Sequence, residues 1–578
     1  MRNRTAASIA ACLIALAAGG ASFADPIGAP AGAPSFNVKD FGAKGDGVTD
    51  DYDAIQAAVA AINPPPFGTG TGQGTLLFPP GEYFINRYRI VDSPDANNIN
   101  NIAFESCNGV SVLGTGAKIS VLGKFYRSKW ETANNVWYSN IYNVIPLYFD
   151  NCQNFLVDGF ELNGNVQDTT RDPEVVEGRC YGLATQASSN YIIQNVYAHH
   201  FAADGVMLGS ESSNSAHPIA TADRNATLIN VHSANNARDG LAIYHVRGAM
   251  IQNSLFETSG DIGGSYGGHY PYAGAGLEPT AFTVGVDVDV KTGDVTFQNC
   301  TFRNNMGMQF FVGGGDRTDN ITLDGCTFEE GPLSINDYTV LMAVKNGLIQ
   351  NCTMRGKRMT FVRGSFPGVS VTIRNNTLYS NAFALVGDSL PCQALIEGNT
   401  IIGTFTAPTS NYLVFLQNLP QVTFRMNTVI VPKEAKNANS AQGIVTLNNI
   451  GLSEQNSLST DLTTPATSYF CTVYGTTPVY LDRYISGDAI RPECLASFPN
   501  QPFYTTIIPG DVNNDHAVTF DDAIAALRIA GGLSAVTMPG GDVAPARNAA
   551  GGVGDGVVDI VDVVRILRHV QGYIPVWP

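Results

Sequence analysis

Apolar and polar positions recur along this chain in short runs with a long period. The segments Ile193-Gln-Asn-Val196, Leu228-Ile-Asn-Val231, Ile251-Gln-Asn-Ser254, Phe297-Gln-Asn-Cys300, Leu323-Asp-Gly-Cys326 and Ile349-Gln-Asn-Cys352 share one pattern. It continues in Ile373-Arg-Asn-Asn376, Ile396-Glu-Gly-Asn399 and Phe424-Arg-Met-Asn427. Their last residues are 35, 23, 46, 26, 26, 24, 23 and 28 positions apart, where 46 is twice 23 or one coil with an insertion. Several short strands and no helix per repeat fit one rung of a parallel β-helix, because three strands of about 5 residues plus turns fill such a coil. Each rung then buries its inward side chains only against its neighbours. The recurring Asn suits a left-handed corner, where stacked amides bond along the column. Cys300, Cys326 and Cys352 fall one above another in this phase, and we read them as an inward ladder of small thiols.

Composition supports a β-rich chain. Of 578 residues only 14% are charged while 60 are Gly, which disfavours both disorder and a long helical protein. The count of 33 Lys+Arg against 50 Asp+Glu leaves −17, a poor match to nucleic acid. Arg2 and Arg4, the apolar Ile9 to Ala18 and Ser22-Phe23-Ala24 read as a secretory signal over residues 1–24. No transmembrane segment is expected, and secretion, with or without attachment at the cell surface, follows. Nine cysteines remain beyond Cys12, widely spaced, so no zinc site or compact disulfide scaffold is indicated.

The N-terminal side carries Phe36-Asn-Val-Lys-Asp-Phe-Gly-Ala-Lys-Gly-Asp-Gly-Val-Thr-Asp-Asp51, then Ala54-Ile-Gln-Ala-Ala-Val59 and Gly74-Thr-Leu-Leu-Phe-Pro-Pro-Gly-Glu-Tyr83. This opening resembles the pectate-lyase-like, polygalacturonase-like right-handed parallel β-helix superfamily. The resemblance implies an all-β solenoid with an N-terminal capping helix, Thr49 or Asp50 starting that helix and Ala54, Ile55, Ala58 and Val59 on its buried face. Asp46, Asp50 and Asp51 are read as turn and cap residues. The superfamily hosts hydrolases, lyases, epimerases and tailspikes, so the resemblance fixes fold before reaction.

Candidate chemistry concentrates between residues 196 and 280. Six of the eight histidines lie between His199 and His269. Asp204 stands eight residues after Val196 and Asp239 eight after Val231, each as Asp-Gly before an apolar strand. Equal phase puts them on adjacent rungs, about 4.8 Å apart. Carboxylates so placed can split into a protonated acid and an ionised base or nucleophile, the requirement of glycoside hydrolysis. Glu278 completes the candidate catalytic set, with His245, Tyr244, Arg238, His200 and His269 as candidate substrate-binding residues. The alternative for the aspartates is structural, an oxygen accepting backbone N–H groups up the stack. The polygalacturonase and mannuronan epimerase motifs are absent as sets. Hydrolysis of a polysaccharide is the leading expectation, β-elimination on a uronate polymer the next, and a non-catalytic adhesion rod the third.

After Pro502 the character changes. Asp511, Asn513, Asp515, Thr519 and Asp522 have the spacing of a calcium loop, and Asp542, Asp555, Asp559 and Asp562 form a second one around an insertion. Helix-forming runs follow both. The pair resembles a type I dockerin, which implies bound Ca2+ and a cohesin-type partner. Residues 511–578 carry eight Asp against four Arg, so part of the chain's acidity belongs to these loops. The expected organisation is signal 1–24, β-helix 25–500 and a small α-helical dockerin-like domain 505–578.

Overall fold

The computed structural model describes residues 27–460, apart from 64–71, 91–100, 123–127, 132–135, 140, 144, 167–179, 210–221, 262–282, 290, 313–317, 333, 335–337, 362–367, 381–384, 389–391, 405–412, 432–444 and 455. It also describes 510, 512, 518–531, 558 and 560–571. The expected signal lies outside these residues.

The repeat folds as three columns of parallel strands. One column runs through Leu183–Gln186, Val206–Gly209, Leu241–Tyr244, Val286–Val288 and Phe310–Val312, each paired in parallel with the next. A second contains Ser189–Gln194, Asp223–Ile229, Val246–Gln252, Gly293–Gln298 and Asp319–Asp324. The third contains Tyr197–His199, His232–Ala234, Leu255–Glu257, Thr301–Arg303 and Thr327–Glu329. Alternation within each strand sends every second side chain inward: Val369, Val371 and Ile373 are buried while Ser370, Thr372 and Arg374 are half-buried. The inward residues form one continuous core with stacked columns of their own. Phe104, Phe149, Phe155 and Tyr191 stack at 4.7, 4.2 and 4.7 Å between ring centres.

The corner between the second and third columns explains the sequence repeat. Asn195, Asn230, Asn253, Asn299, Asn351 and Asn375 there have φ between 51° and 56°, and Gly325 and Gly398 take the same corner at 64°. Asn tolerates this left-handed conformation, and its amide bonds up the column, as Asn230 Nδ2 does to Asn195 Oδ1 at 2.8 Å. The following residue turns inward. Cys300, Cys326 and Cys352 occupy that position as buried free thiols, as the repeat phase requires. Asn376, Asn399, Asn427 and Asn456 continue it as buried amides, each bonding the next.

An eleven-residue helix, Tyr52–Ile62, packs Ile55, Ala58, Val59 and Ile62 onto the first strands. Asp51 precedes the helix instead of Thr49 or Asp50, and makes no side-chain cap. Its carboxylate accepts the Lys44 and Gly45 N–H groups, while Asp46 accepts from Val48 and Thr49. In the C-terminal segment the helices Phe520–Ala530 and Ile560–Val570 share a small core of Val512, Ala523, Ala526, Val558, Val563 and Ile566. No described helix is long and apolar enough to cross a membrane.

The inner amide column yields a stability test. Asn399 accepts from the N–H and the amide of Asn376 and donates to Asn427 and the Ile373 carbonyl. Asn399→Ala strands several of these groups away from water. A loss of about 2–5 kcal/mol in urea unfolding is expected, and an unchanged midpoint would mean that the column contributes nothing.

Candidate functional site

The outward face of the first column is unlike the others. It carries a second apolar cluster of Tyr148, Tyr181, Ala184, Ala203, Met207, Ala242 and Tyr244, separate from the core. Ala184 aligns with Met207, Met207 with Ala242, and Ala242 with Asp287 on successive rungs. Polar chemistry enters at the edge of this cluster, at the corner that precedes each strand.

Asp204 and Asp239 are on adjacent rungs, as their phase implies. Asp204 is fully buried. Its Oδ1 accepts the Asp239 N–H at 3.1 Å and Arg238 Nε at 2.7 Å, and its Oδ2 accepts Arg238 Nη2 at 2.6 Å. The pairing is bidentate, with both oxygens used, so Asp204 is built to hold Arg238. Asp239 accepts the Val284 N–H at 3.0 Å through Oδ1, and its Oδ2 lies 3.4 Å from Arg238 Nε. Each aspartate thus bonds backbone up the stack, the structural role that the sequence left open, and Arg238 joins them.

The two carboxyls sit in different electrostatic settings. Burial first, then the Asp204 and Asp287 charges, push the Asp239 carboxyl well above the usual range, against the opposing pull of Arg238. With the guanidinium forked on Asp204, Asp239 is the member of the pair whose protonated form is favoured. The Tyr244 hydroxyl is 3.4 Å from Arg238 Nη2. Burial raises its phenol well above the ordinary value, although Arg238 works the other way.

Of the other predicted residues, His245 stands at the opposite corner, after the strand Leu241–Tyr244, in the left-handed conformation, φ 55°, and its carbonyl accepts the Asp223 N–H. His200 stands at a different corner, its Nδ1 2.6 Å from Nδ1 of His199. The His199 imidazole is driven down to about 4, mainly by burial. Glu278 and His269 lie outside the described residues. Asp287 is the residue that the sequence reading missed. It is a lone acid between Val286 and Val288 in the column of Met207 and Ala242. Phasing that strand against Leu241–Tyr244 exposes it, but the long segment between the two rungs hides the phase.

Among the described residues no group of three or more His, Cys, Asp or Glu is arranged to hold a metal ion. Of the expected calcium ligands, Thr519, Asp522 and Asp562 are described. Thr519 caps the helix Phe520–Ala530, and Asp522 is buried, accepting the Val512 and Thr519 N–H groups at 2.6 and 2.7 Å. Asp562 is buried in the first turn of the second helix. Asp511, Asn513, Asp515, Asp542, Asp555 and Asp559 lie outside the described residues.

Comparison with known proteins agrees with the fold. Residues 35–216 match the family described as rhamnogalacturonase A/epimerase, pectate lyase-like. Residues 282–450 match the right-handed β-helix region. Together these support the pectate-lyase-like β-helix superfamily. Alginate lyase 7 of Azotobacter vinelandii is 55% identical over 51 residues, 9% of this chain and 5% of that protein, so the likeness spans a small part of the relative. Plasmin and fibronectin-binding protein A of Streptococcus pneumoniae is 29% identical over 109 residues, 18% of this chain and 14% of that one. Among solved structures, the A-module of mannuronan C-5 epimerase AlgE6 from Azotobacter vinelandii is 18% identical, covering 78% of this chain and all of that one, at a TM-score of 0.39.

Arg238→Met leaves the buried Asp204 carboxylate without its guanidinium. A loss of about 3–5 kcal/mol in unfolding free energy is expected, with Arg238→Lys restoring charge but not the forked geometry. Equal stability of all three proteins would show that the pair is not buried as described.

Proposed function

We propose that this chain, a right-handed β-helix of the pectate-lyase-like superfamily, acts on a polysaccharide at the outward face of its first strand column. The leading reaction is proton removal beside the carboxyl of a uronate unit, leading to β-elimination or epimerisation. The observation that carries this reading is the buried Asp239 beside Arg238 and the Asp204 carboxylate, a setting that raises its pKa and favours the protonated form. A neutral acid donating a hydrogen bond to a sugar carboxylate, with a guanidinium behind it, draws charge from that carboxylate and makes the adjacent C–H more acidic. Asp287, half-buried on the next rung, is the carboxylate placed to accept the proton. Tyr244, kept as a neutral phenol, returns a proton to the leaving oxygen or to the opposite sugar face. Tyr148, Tyr181 and Met207, buried along the same column, back this face as a fixed apolar support. The epimerase and pectate lyase in the matched family's description, and the name of the alginate lyase relative matched over 51 residues, support this class.

Hydrolysis remains as the second reading on one observation: Asp239 and Asp287 are an acid held protonated and a second carboxylate on one face. Export of the chain and a saccharide substrate belong to both readings. For the C-terminal segment we propose structural Ca2+, with Asp522 and Asp562 each starting a helix as buried carboxyls. A cohesin-type partner is proposed for the same segment. Phe520, Ile524 and Leu527 on one helix and Ile560, Val561 and Val564 on the other are exposed, an apolar surface suited to burial against another protein.

A polysaccharide panel separates the reactions. Ultraviolet absorbance of an unsaturated sugar marks elimination, a changed C5 configuration by NMR marks epimerisation, and new reducing ends without absorbance mark hydrolysis. Asp287→Asn and Tyr244→Phe are expected to lower turnover by ~10²–10⁴-fold. Because Asp239 acts protonated, activity falls as pH rises through its elevated pKa. Asp239→Asn keeps a neutral donor, so under elimination it retains turnover and loses that alkaline limb; under hydrolysis it is inactive. Full activity of Asp287→Asn and Tyr244→Phe together would remove this face from the chemistry. Separately, equilibrium dialysis with Ca2+ is expected to show ions bound by the full chain and one lost with Asp522→Ala, while no bound Ca2+ would end the calcium proposal.

A further inference from the structure

A cleft of about 430 Å³ opens between the second and third strand columns, lined by Gly116, Lys118, Asp158, Gly159, Glu161 and Asn195 among others. It shares no residue with the face around Asp239. Its volume falls within the ~300–1,000 Å³ of small-molecule sites.

The charges lining it select the ligand by exclusion. Lys118 Nζ lies 3.2 Å from Glu82 Oε1 and 3.5 Å from Glu161 Oε1. With its charge already met by two carboxylates, the ammonium offers little to an anion. The ammonium also occupies the position between Glu82 and Glu161 that a cation would take. Asp158 Oδ1 accepts from Asn195 Nδ2 at 2.8 Å. What these groups offer together is fixed acceptors beside fixed donors, the complement of a hydroxyl-rich neutral molecule. Gly116 and Gly159 have φ of 78° and 86°, and a Cβ at Gly159 would come within 3.0 Å of Thr115. The cleft floor is therefore bare backbone, open to close approach.

A second, independent feature borders it. Tyr197 pairs in register with Glu161 on one rung and His232 on the next. Its ring is stacked against His199 and His232, each at 4.4 Å between centres. His232 Nε2 is in turn held by Glu257 at 2.8 Å. Among the described residues the Tyr197 hydroxyl has no hydrogen-bond partner. A half-buried phenol locked between two rings and left without a partner is a donor and acceptor set in place at no further cost in side-chain entropy.

We propose that this corner is a second saccharide-binding site, non-catalytic and specific for a neutral, hydroxyl-rich sugar unit. Carboxylates Asp158 and Glu161 accept sugar hydroxyls, Lys118 and Asn195 donate to ring or hydroxyl oxygens, and the Tyr197 hydroxyl contributes one bond in either sense. The site goes beyond the reaction proposed above and does not depend on which reaction is correct. It gives the chain a hold on neutral polymer at a place separate from the face that works on it.

Native gel electrophoresis of the full chain through gels containing neutral polysaccharides (dextran, galactan, xyloglucan and β-glucan) and, separately, alginate tests this. At least one neutral polymer is expected to retard the protein. Tyr197→Phe, which deletes a single oxygen and leaves the ring stack, and Glu161→Gln are each expected to weaken retardation roughly five- to tenfold. Asp287→Asn is expected to leave it unchanged while lowering turnover, which keeps this proposal and the catalytic one separable. Absence of retardation in every neutral gel overturns the proposal. So does retardation that survives Tyr197→Phe with Glu161→Gln, or that is lost only in Asp287→Asn.

Discussion

The β-helix and its candidate site depend on in-register stacking of one rung on the next. A single rung has two open edges of unpaired N–H and C=O groups and an inner face too small to shed water. The next rung, about 4.8 Å away, meets both needs at once. Stacking also imposes a condition on side chains: whatever stands inward must tolerate its own neighbour above and below. Flat rings meet it by stacking, as Phe104, Phe149, Phe155 and Tyr191 do. Amides meet it by bonding head to tail, as Asn376, Asn399, Asn427 and Asn456 do. Thiols at Cys300, Cys326 and Cys352 meet it by being small and weakly polar.

The same condition shapes the candidate site. The glycines that follow Asp204 and Asp239 are demanded by crowding at the corner. A Cβ on Gly205 would lie 1.9 Å from Ser233 Oγ, and one on Gly240 would lie 2.6 Å from the Gly285 carbonyl. The aspartates before them accept backbone N–H groups from the next rung. Asp-Gly is therefore a device for closing rungs tightly, and its repetition brings two carboxyls together. Arg238 then makes them unequal, because Asp204 takes the guanidinium in a forked pair and leaves Asp239 buried beside a negative charge. A structural motif yields an acid–base asymmetry as a by-product of stacking.

How much was legible in advance differs by feature. The corner Asn was readable because one backbone requirement, φ above zero, selects one residue type at one interval. The equal phase of Asp204 and Asp239 was readable for the same reason. Asp287 was not, since the interval from Leu241 to its partner Val286 is 45 residues against 35 from Val206 to Leu241, which breaks the spacing that would have aligned it. The identity of the helix-starting residue was also missed. Asp51 was drawn to the Lys44 and Gly45 N–H groups, a contact that arises only when the preceding turn folds back.

The sequence by itself determined the period, the rung, the inward and outward alternation and the corner conformations. All of these are local consequences of steric and hydrophobic preference repeated along the chain. Tertiary structure alone decided which polar groups meet. Arg238 chooses Asp204 over Asp239 as its forked partner, and His200 goes to His199 instead of to the aspartates. Those choices turn on distances between rungs and on the burial that sets the strength of each charge, and both exist only after the coils have stacked.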